Sequence, residues 1–343
     1  MSPSIHPNAD IGSGPLLGPM LSGYWISQGV YVAAKLSLAD LLHKHGPQTA
    51  DQLAAATATH APSLYRLLRA LASLGIFCED GEHRFSLTPT AEPLRSDVPG
   101  SQRSLALMVG EEHYAAWGQL LYCVQTGRNA FEKIYGEPIF SWLARHPEQA
   151  ATFDEAMVGV HGRETGAMLD AYDFSPYAVV ADLGGGNGSV LRELLARYPR
   201  IQGMLCDLPG VVERARPLLA AAGLAERCQV IPTDFFHEAP SGADAYLMRH
   251  IIHDWNDQQS QQILRNIRRV IKPNGRLLLV ESVIQPGNEP DFAKLLDVNM
   301  LVIPGGKERT ASEYRELYAS TGFRLANITP TTAGVSIIEG APE

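Results

Sequence analysis

The stretch Ala178-Val179-Val180-Ala181-Asp182-Leu183-Gly184-Gly185-Gly186-Asn187-Gly188 decides how the rest of the chain is read. The apolar run AVVADL has strand length, passes into a glycine turn, and leads into SVLRELLARYP, whose leucines recur at helical spacing. Glycines at such a turn let backbone approach a ligand closely, and the helix that follows presents its free N–H groups there. Beyond this unit the same grammar continues. QGMLCDL, CQVIPTDF, ADAYLMR and GRLLLVE predict strands, with GVVERARPLLAAAG and DQQSQQILRNIRRVI as helices among them. This alternation predicts a parallel sheet with crossover helices, the doubly wound α/β class. The tail segments GFRLANITPT and GVSIIEG predict a closing antiparallel pair.

Acidic residues fall at the carboxyl ends of these strands. Asp207 lies nineteen positions after Gly188, where a carboxylate can accept both hydroxyls of a ribose. Asp234 ends the third predicted strand, and Phe235 follows it. Alone, the glycine run is equally a tight strand–helix turn. With two acids on the same sheet edge it predicts a crevice for an adenosine-type nucleoside. The loop reads GGGNGS and lacks the third glycine of the pyrophosphate-cradling GxGxxG pattern. That favours a cofactor without phosphate, such as S-adenosyl-L-methionine.

Working toward the N-terminus, residues 1–100 predict short helices followed by a hairpin. Thr49 is a candidate N-cap for TADQLAAAT, and Ser63 for SLYRLLRALASLGI, with Leu64, Leu67, Leu68, Leu71 and Leu74 on one face. CEDGEHRFSLT predicts two strands around Asp80-Gly81. Helices and a hairpin in this order predict a winged-helix shape. From Ser37 to Arg95 there are five Lys or Arg against six Asp or Glu, so no basic face exists to neutralise phosphates. The expected role is dimerisation, with no nucleic-acid partner. Residues 101–171 form a helical, aromatic connector, and residues 172–343 the sheet domain.

The whole chain of 343 residues carries 28 Lys+Arg against 37 Asp+Glu, a formal charge of −9, which also argues against a nucleic-acid coat. Its four cysteines, Cys78, Cys123, Cys206 and Cys228, are scattered, which excludes a disulfide scaffold and fits a reducing compartment. The opening MSPSIHPNAD lacks the basic region of a secretory signal, so a cytoplasmic location is expected. Ile11 to Ala34 is uncharged yet rich in Gly, Pro and Ser, and reads as a turn and a buried or dimer-forming helix around Tyr24–Leu42, with no membrane span.

After the fourth strand comes Arg249-His250-Ile251-Ile252-His253-Asp254-Trp255. Two histidines three apart can share a helical face, but no third metal ligand is evident in the sequence nearby, so no metal is expected. His253 sits just past a strand end on the crevice side. Glu281 ends the fifth strand, and Glu308 lies in the run GGKERT ahead of a predicted helix. Carboxylates near a histidine fix its tautomer and support its pKa.

With DLGGGNGS, CDLPGVV, TDFF, RHIIHDWND, KPNGRLLLVES and PGGKERTASEYRELYASTGF, the chain resembles the S-adenosylmethionine-dependent small-molecule O-methyltransferases of the caffeate/acetylserotonin type, in their bacterial secondary-metabolite branch. The N-terminal domain and HYAAW…FEKIYGEPIFSWL match as well, so the resemblance spans nearly the whole chain. It implies a Rossmann-like methyltransferase domain, a homodimer and a small aromatic hydroxylated acceptor. It further implies that Gly184, Gly186, Asp207 and Leu208 hold the methionine and ribose of S-adenosyl-L-methionine. Asp234, Phe235 and Arg249 would flank its adenine, Arg249 standing where the plant pattern has Lys. His253 would be the general base bracketed by Glu281 and Glu308. Phe153, Met157, His161, Asn299, Met300 and Ile303 would line the acceptor pocket. The segment between Met300 and Gly305 looks one residue shorter than the plant pattern, which bears on acceptor contacts.

A phenol with a pKa of about 10 is a weak nucleophile, and transfer of its proton to an ordinary imidazole at about 6.5 is uphill by about 3.5 units, or roughly 4.8 kcal/mol. Proton loss concerted with bond formation, with a carboxylate supporting the imidazolium, makes that step accessible. Two alternatives stay open at this point. One is the same fold with altered chemistry, decarboxylation or hydroxylation. The other is an NAD(P)-dependent oxidoreductase, although Tyr31-Val32-Ala33-Ala34-Lys35, its Tyr-x-x-x-Lys candidate, precedes the glycine loop rather than following it.

Overall fold

The structure, a computed structural model, describes residues 17–162 and 164–343, so the opening decapeptide and the start of the uncharged stretch lie outside the described residues. The chain divides into two compact units, 1–110 and 111–343. The first division thus falls ten residues beyond the expected boundary at 100, and most of the 101–171 connector belongs to the second unit.

In the first unit, helices Gly23–Lys35, Leu38–His45, Ala50–Thr57 and Ala61–Ser73 pack with a three-stranded antiparallel sheet. Its strands are Gln48–Thr49, Arg84–Leu87 and Phe77–Glu79, the last two being the expected hairpin. Leu38, Leu53, Leu68, Phe77 and Phe85 form the core. Thr49 caps its helix in a full capping box with Gln52. Ser63 is not a cap. Pro62 pre-sets the first turn, the helix starts at Ala61, and the Ser63 hydroxyl meets His60 Nδ1 at 2.9 Å. Leu64, Leu68 and Leu71 are buried as expected, whereas Leu74 ends the helix exposed. The helix expected over Tyr24–Leu42 is broken at Ser37, whose left-handed backbone (φ +53°) separates two helices while Arg103 donates to Ala34 O and Ser37 Oγ.

The second unit opens with helices, among them α1 (Pro147–His161) and α2 (Glu164–Ala171). A seven-stranded sheet follows: β1 (Val179–Leu183), β2 (Gln202–Asp207), β3 (Cys228–Pro232), β4 (Ala245–Arg249), β5 (Arg276–Glu281), β6 (Phe323–Pro330) and β7 (Ser336–Pro342). Its order is β6-β7-β5-β4-β1-β2-β3, with all strands running the same way except β7, which is antiparallel to both β5 and β6 and makes with β6 the expected antiparallel closing pair. Helices α3 (Ser189–Arg197), α4 (Pro209–Ala221), α5 (Asp257–Val270), α6 (Phe292–Val302) and α7 (Ala311–Ala319) accompany it. The two sheet faces carry separate apolar clusters. Leu191, Leu194 and Leu195 of α3 pack on one, and Ile263, Leu264 and Ile267 of α5 with Tyr314 and Tyr318 of α7 on the other. Burial on both faces is why the strands read as continuous apolar runs. The fold is doubly wound α/β, as the alternation predicts. The aromatic segment is cemented to it inside this unit, since Phe131 and Ile139 share a cluster with Val302 and Ile303. Among the described residues no helix is long and apolar enough to cross a membrane.

Candidate active site

Strand β1 delivers the glycine loop to the sheet's carboxyl edge. Gly184, Gly186 and Gly188 have φ of +73°, +56° and +76°, conformations that exclude most side chains. A Cβ on Gly184 would stand 2.4 Å from Ile251, and one on Gly185 2.4 Å from Leu205, whereas the space above Gly186 is open. The loop is thus packed on its protein side and free on its crevice side. At the end of β2, Asp207 accepts from the N–H groups of Gly186 (2.9 Å) and Leu208 (2.7 Å), and burial raises its pKa. Asp182, at the end of β1, is buried with Oδ2 unpartnered, and burial pushes it up to about 7.

Strand β3 stops at Pro232, so Asp234 lies two residues past the strand it was expected to end. Its carboxylate accepts from the Phe236 N–H at 2.9 Å and meets His237 Nδ1 at 2.8 Å, fixing the turn that presents Phe235. Phe235 packs against Phe236 and Trp255. Arg249 is half-buried, and its guanidinium donates to Thr165 Oγ1 (2.8 Å), His161 O (3.4 Å) and Ser189 Oγ (3.5 Å). These bonds tie it to α1, α2 and the start of α3, and none reaches Asp234 or Phe235.

Past β4 the backbone turns sharply. His250 adopts a left-handed φ of +52°, so the two histidines do not share a helical face, and a single 3₁₀ turn, Ile252–Asp254, carries His253. His253 is buried. Its Nδ1 lies 2.7 Å from Glu308 Oε1 and 3.6 Å from Glu281 Oε2, and its Nε2 lies 3.6 Å from Asp254 Oδ1. Burial alone would lower its pKa, but the charges of Glu281 and Asp254 and the bond to Glu308 outweigh it and raise it to about 10. Glu281 Oε1 accepts from the N–H groups of Ile251 (3.1 Å) and Ile252 (2.9 Å), so this carboxylate also holds the turn.

With this geometry the chain matches known proteins over most of its length. Residues 117–324 match the O-methyltransferase domain model and residues 19–97 the O-methyltransferase dimerisation domain model. The chain belongs to the O-methyltransferase family. It is 46% identical to a phenazine O-methyltransferase of Lysobacter antibioticus over 95% of this chain and 96% of that one. The crystal structure of LaPhzM superposes with a TM-score of 0.92 at 45% identity, covering 96% of this chain and 100% of that one. The NcsB1 O-methyltransferase of neocarzinostatin biosynthesis, solved with S-adenosylmethionine and 2-hydroxy-5-methyl naphthoic acid, superposes at 0.84 with 32% identity, covering 93% and 96%. This O-methyltransferase is therefore an S-adenosylmethionine-dependent enzyme. Its crevice fits that cofactor: the Gly186 backbone is uncovered, Asp207 stands at the loop, and Asp182 keeps a buried carboxylate oxygen without a partner.

The expected acceptor-lining residues fall on two helices of the O-methyltransferase. Phe153, Met157 and His161 recur every four residues on α1. Phe153 meets Phe140 edge-on, and His161 stacks on His250 with ring centres 4.0 Å apart. Asn299 and Met300 lie on α6 and Ile303 just beyond it. Asn299 Oδ1 accepts from Trp117 Nε1 at 2.9 Å, while Met300 and Ile303 are buried.

Sequence reasoning passed over two residues that shape the site. The Gly306 backbone lies on the His253 turn so tightly that a Cβ would stand 2.0 Å from His253 O. Arg309 is fully buried and donates to Ile252 O, Trp255 O, Lys307 O, Ser260 Oγ and Asp257 Oδ1. The glycine doublet and the arginine of GGKERT were their only signals. The fold also supplies what the sequence lacked beside the two histidines. Ligand atoms of His250, His253 and Glu281, and of His161, Glu164 and His250, lie within 4.8 Å of one another. In these groups His250 Nε2 is already bound to Glu164 and His253 Nδ1 to Glu308.

Proposed function

We propose that the protein transfers a methyl group from S-adenosyl-L-methionine to a hydroxyl oxygen of a small aromatic acceptor, phenolic or polycyclic, with His253 as general base. The observation that carries this reading is the 2.7 Å bond from His253 Nδ1 to Glu308, backed by Glu281, which fixes the proton on Nδ1 and leaves Nε2 as the basic nitrogen. Gly184, Gly186, Asp207 and Leu208 would hold the methionine and ribose, and Asp234, Phe235 and Arg249 the remainder, Arg249 from the α1–α2 side. When bound, the cofactor supplies a methyl on a cationic sulfur, and the C–S electron pair stays with sulfur. His253 Nε2 takes the hydroxyl proton as the O–C bond forms. With its pKa raised to about 10, His253 matches a phenol of about 10, so the transfer is close to level rather than uphill by about 3.5 units.

The phenazine and naphthoic-acid relatives support a flat aromatic acceptor. The dimerisation-domain match supports a homodimer, and four free cysteines fit the cytoplasm. His253→Ala is expected to keep cofactor affinity by calorimetry and to lose turnover by a factor of roughly 10²–10⁴ on an acceptor with an unionised hydroxyl. A phenol already ionised at assay pH should be less affected. Near-normal turnover on the unionised acceptor would refute the base assignment.

A further inference from the structure

We propose that Asn299 reads the acceptor through its side-chain N–H, and that the acceptor therefore carries, in addition to its hydroxyl, an atom that accepts a hydrogen bond and bears no proton: a ring nitrogen or a carbonyl oxygen. The inference rests on the proposed reading of the substrate as a small aromatic hydroxyl compound, and it narrows that class.

An asparagine side chain ends in an oxygen that accepts and a nitrogen that donates, so the end it turns to a ligand decides what it recognises. Here the surroundings fix that choice. Trp117 Nε1 can only donate, and it lies 2.9 Å from Asn299 Oδ1. The oxygen is thus spent on the indole, and Nδ2 is left as the free end. Among the described residues no group accepts from Nδ2. Asn299 is half-buried and Trp117 is 36% exposed, so these N–H groups are within reach of a ligand.

The position of the amide follows from how the end of α6 is held. Val302 and Ile303, three and four residues on, share the face of Asn299 and a buried cluster with Ala116, the neighbour of Trp117 in the helical turn Tyr114–Trp117. Phe140 and Phe153 pack against the same cluster, and Phe140 lies 5.6 Å from the ring of Trp255, two residues past His253. Hydrogen bonds tie the same helix end to the His253 turn. Asp297 Oδ1 accepts from the Glu308 N–H at 2.9 Å, Met300 O from the Gly305 N–H at 2.8 Å, and Glu308 holds the His253 ring. Asn299 and His253 are therefore mounted on one frame, with the rings of Phe153, Phe140 and Trp255 as an apolar wall between them. A polar group at the rim of such a wall fixes how a flat molecule lies in it. A ring nitrogen or carbonyl meeting Nδ2 is bonded. An amino group there meets a second donor, and a plain C–H leaves the amide unbonded, so both are disfavoured.

The test measures binding of three probes of one shape to the full chain saturated with S-adenosylhomocysteine, by fluorescence titration and without turnover. They are 2-hydroxyanthracene, 2-hydroxyphenazine, which has nitrogens in place of two ring C–H groups, and 2-hydroxyanthraquinone, which has carbonyls there. The quantity read is the anthracene dissociation constant divided by that of each polar probe, compared between variant and wild type, so that other differences among the probes cancel. Asn299→Asp keeps an oxygen for Trp117 but replaces the donor with a second oxygen. It is expected to lower the ratio by a factor of roughly 10–100 for the probe whose atom meets the amide, and Asn299→Ala by roughly 2–10. Trp117→Phe frees the amide to turn over and is expected to lower the ratio several-fold, whereas a mere packing role for Trp117 would weaken all three probes alike. S-adenosylhomocysteine affinity and melting temperature report that each variant is folded. A ratio that Asn299→Asp leaves unmoved for both polar probes overturns the proposal, as does a wild type that binds none of the three. The reading of the reaction fails separately, as methylation of no aromatic hydroxyl by a wild type that binds these probes, or as normal turnover in His253→Ala.

Discussion

At the scale of single residues, the proposed chemistry turns on how much negative charge is packed around one imidazole, that of His253. Raising the pKa of His253 makes it a stronger base but leaves less of it unprotonated at neutral pH. On the proposed reading of His253 as the base the neutral form is the active one, so kcat is expected to climb with pH toward a limb near the raised pKa of about 10. Glu308→Gln keeps the shape of the pair but removes one carboxylate charge, so the limb should move to lower pH while the plateau falls. A pH–rate profile checks both, and an unmoved limb would show that Glu308 does not set the basicity of His253. The sequence displayed His253, Glu281 and Glu308 because each follows a strand end or a glycine run. It did not display that Glu281 spends one oxygen on the amides of Ile251 and Ile252, nor that Asp254 stands beside Nε2. Those facts depend on side-chain direction within a turn, which spacing does not encode.

At the scale of elements, the strands and crossover helices were legible because burial on both sheet faces leaves a long apolar imprint. Turns were less so. Two histidines three apart read as helical neighbours, but the left-handed backbone at His250 sets them on a loop and a 3₁₀ turn. Ser63 had the chemistry of a cap, yet Pro62 started the helix earlier. The segment Gly305–Arg309 works as a bracket under the His253 turn: Gly306 touches it, Lys307 N–H donates to His253 O at 2.9 Å, Glu308 binds the ring, and Arg309 gathers its carbonyls. Gly306→Ala must push that turn away, so it is expected to cost about 1–3 kcal/mol in urea unfolding and to lower kcat more than it raises KM. Arg309→Met strands several buried acceptors and is expected to cost about 3 kcal/mol. Wild-type kcat in Gly306→Ala would mean that the bracket does not position the base.

At the scale of the whole molecule, every group assigned to catalysis lies in the 111–343 unit, and the 1–110 unit contributes a surface instead. Its first helices expose Met20 (69%), Leu21 (69%), Tyr24 and Trp25 (66%) together. Apolar side chains this large are seldom left to water in such a contiguous group, and each is worth about 1.5–3 kcal/mol when buried. The match of residues 19–97 to a dimerisation domain names a second copy of the chain as the natural cover. Charge on that face should therefore act on association before it acts on chemistry. Leu21→Glu combined with Trp25→Glu is expected to convert a sedimenting dimer to a monomer at micromolar concentration, and to remove the dependence of the melting temperature on protein concentration that a dimer shows. If wild type itself sediments as a stable monomer with a concentration-independent melting temperature, the exposed face has some other purpose. If the variant stays dimeric, the contact lies elsewhere on the chain.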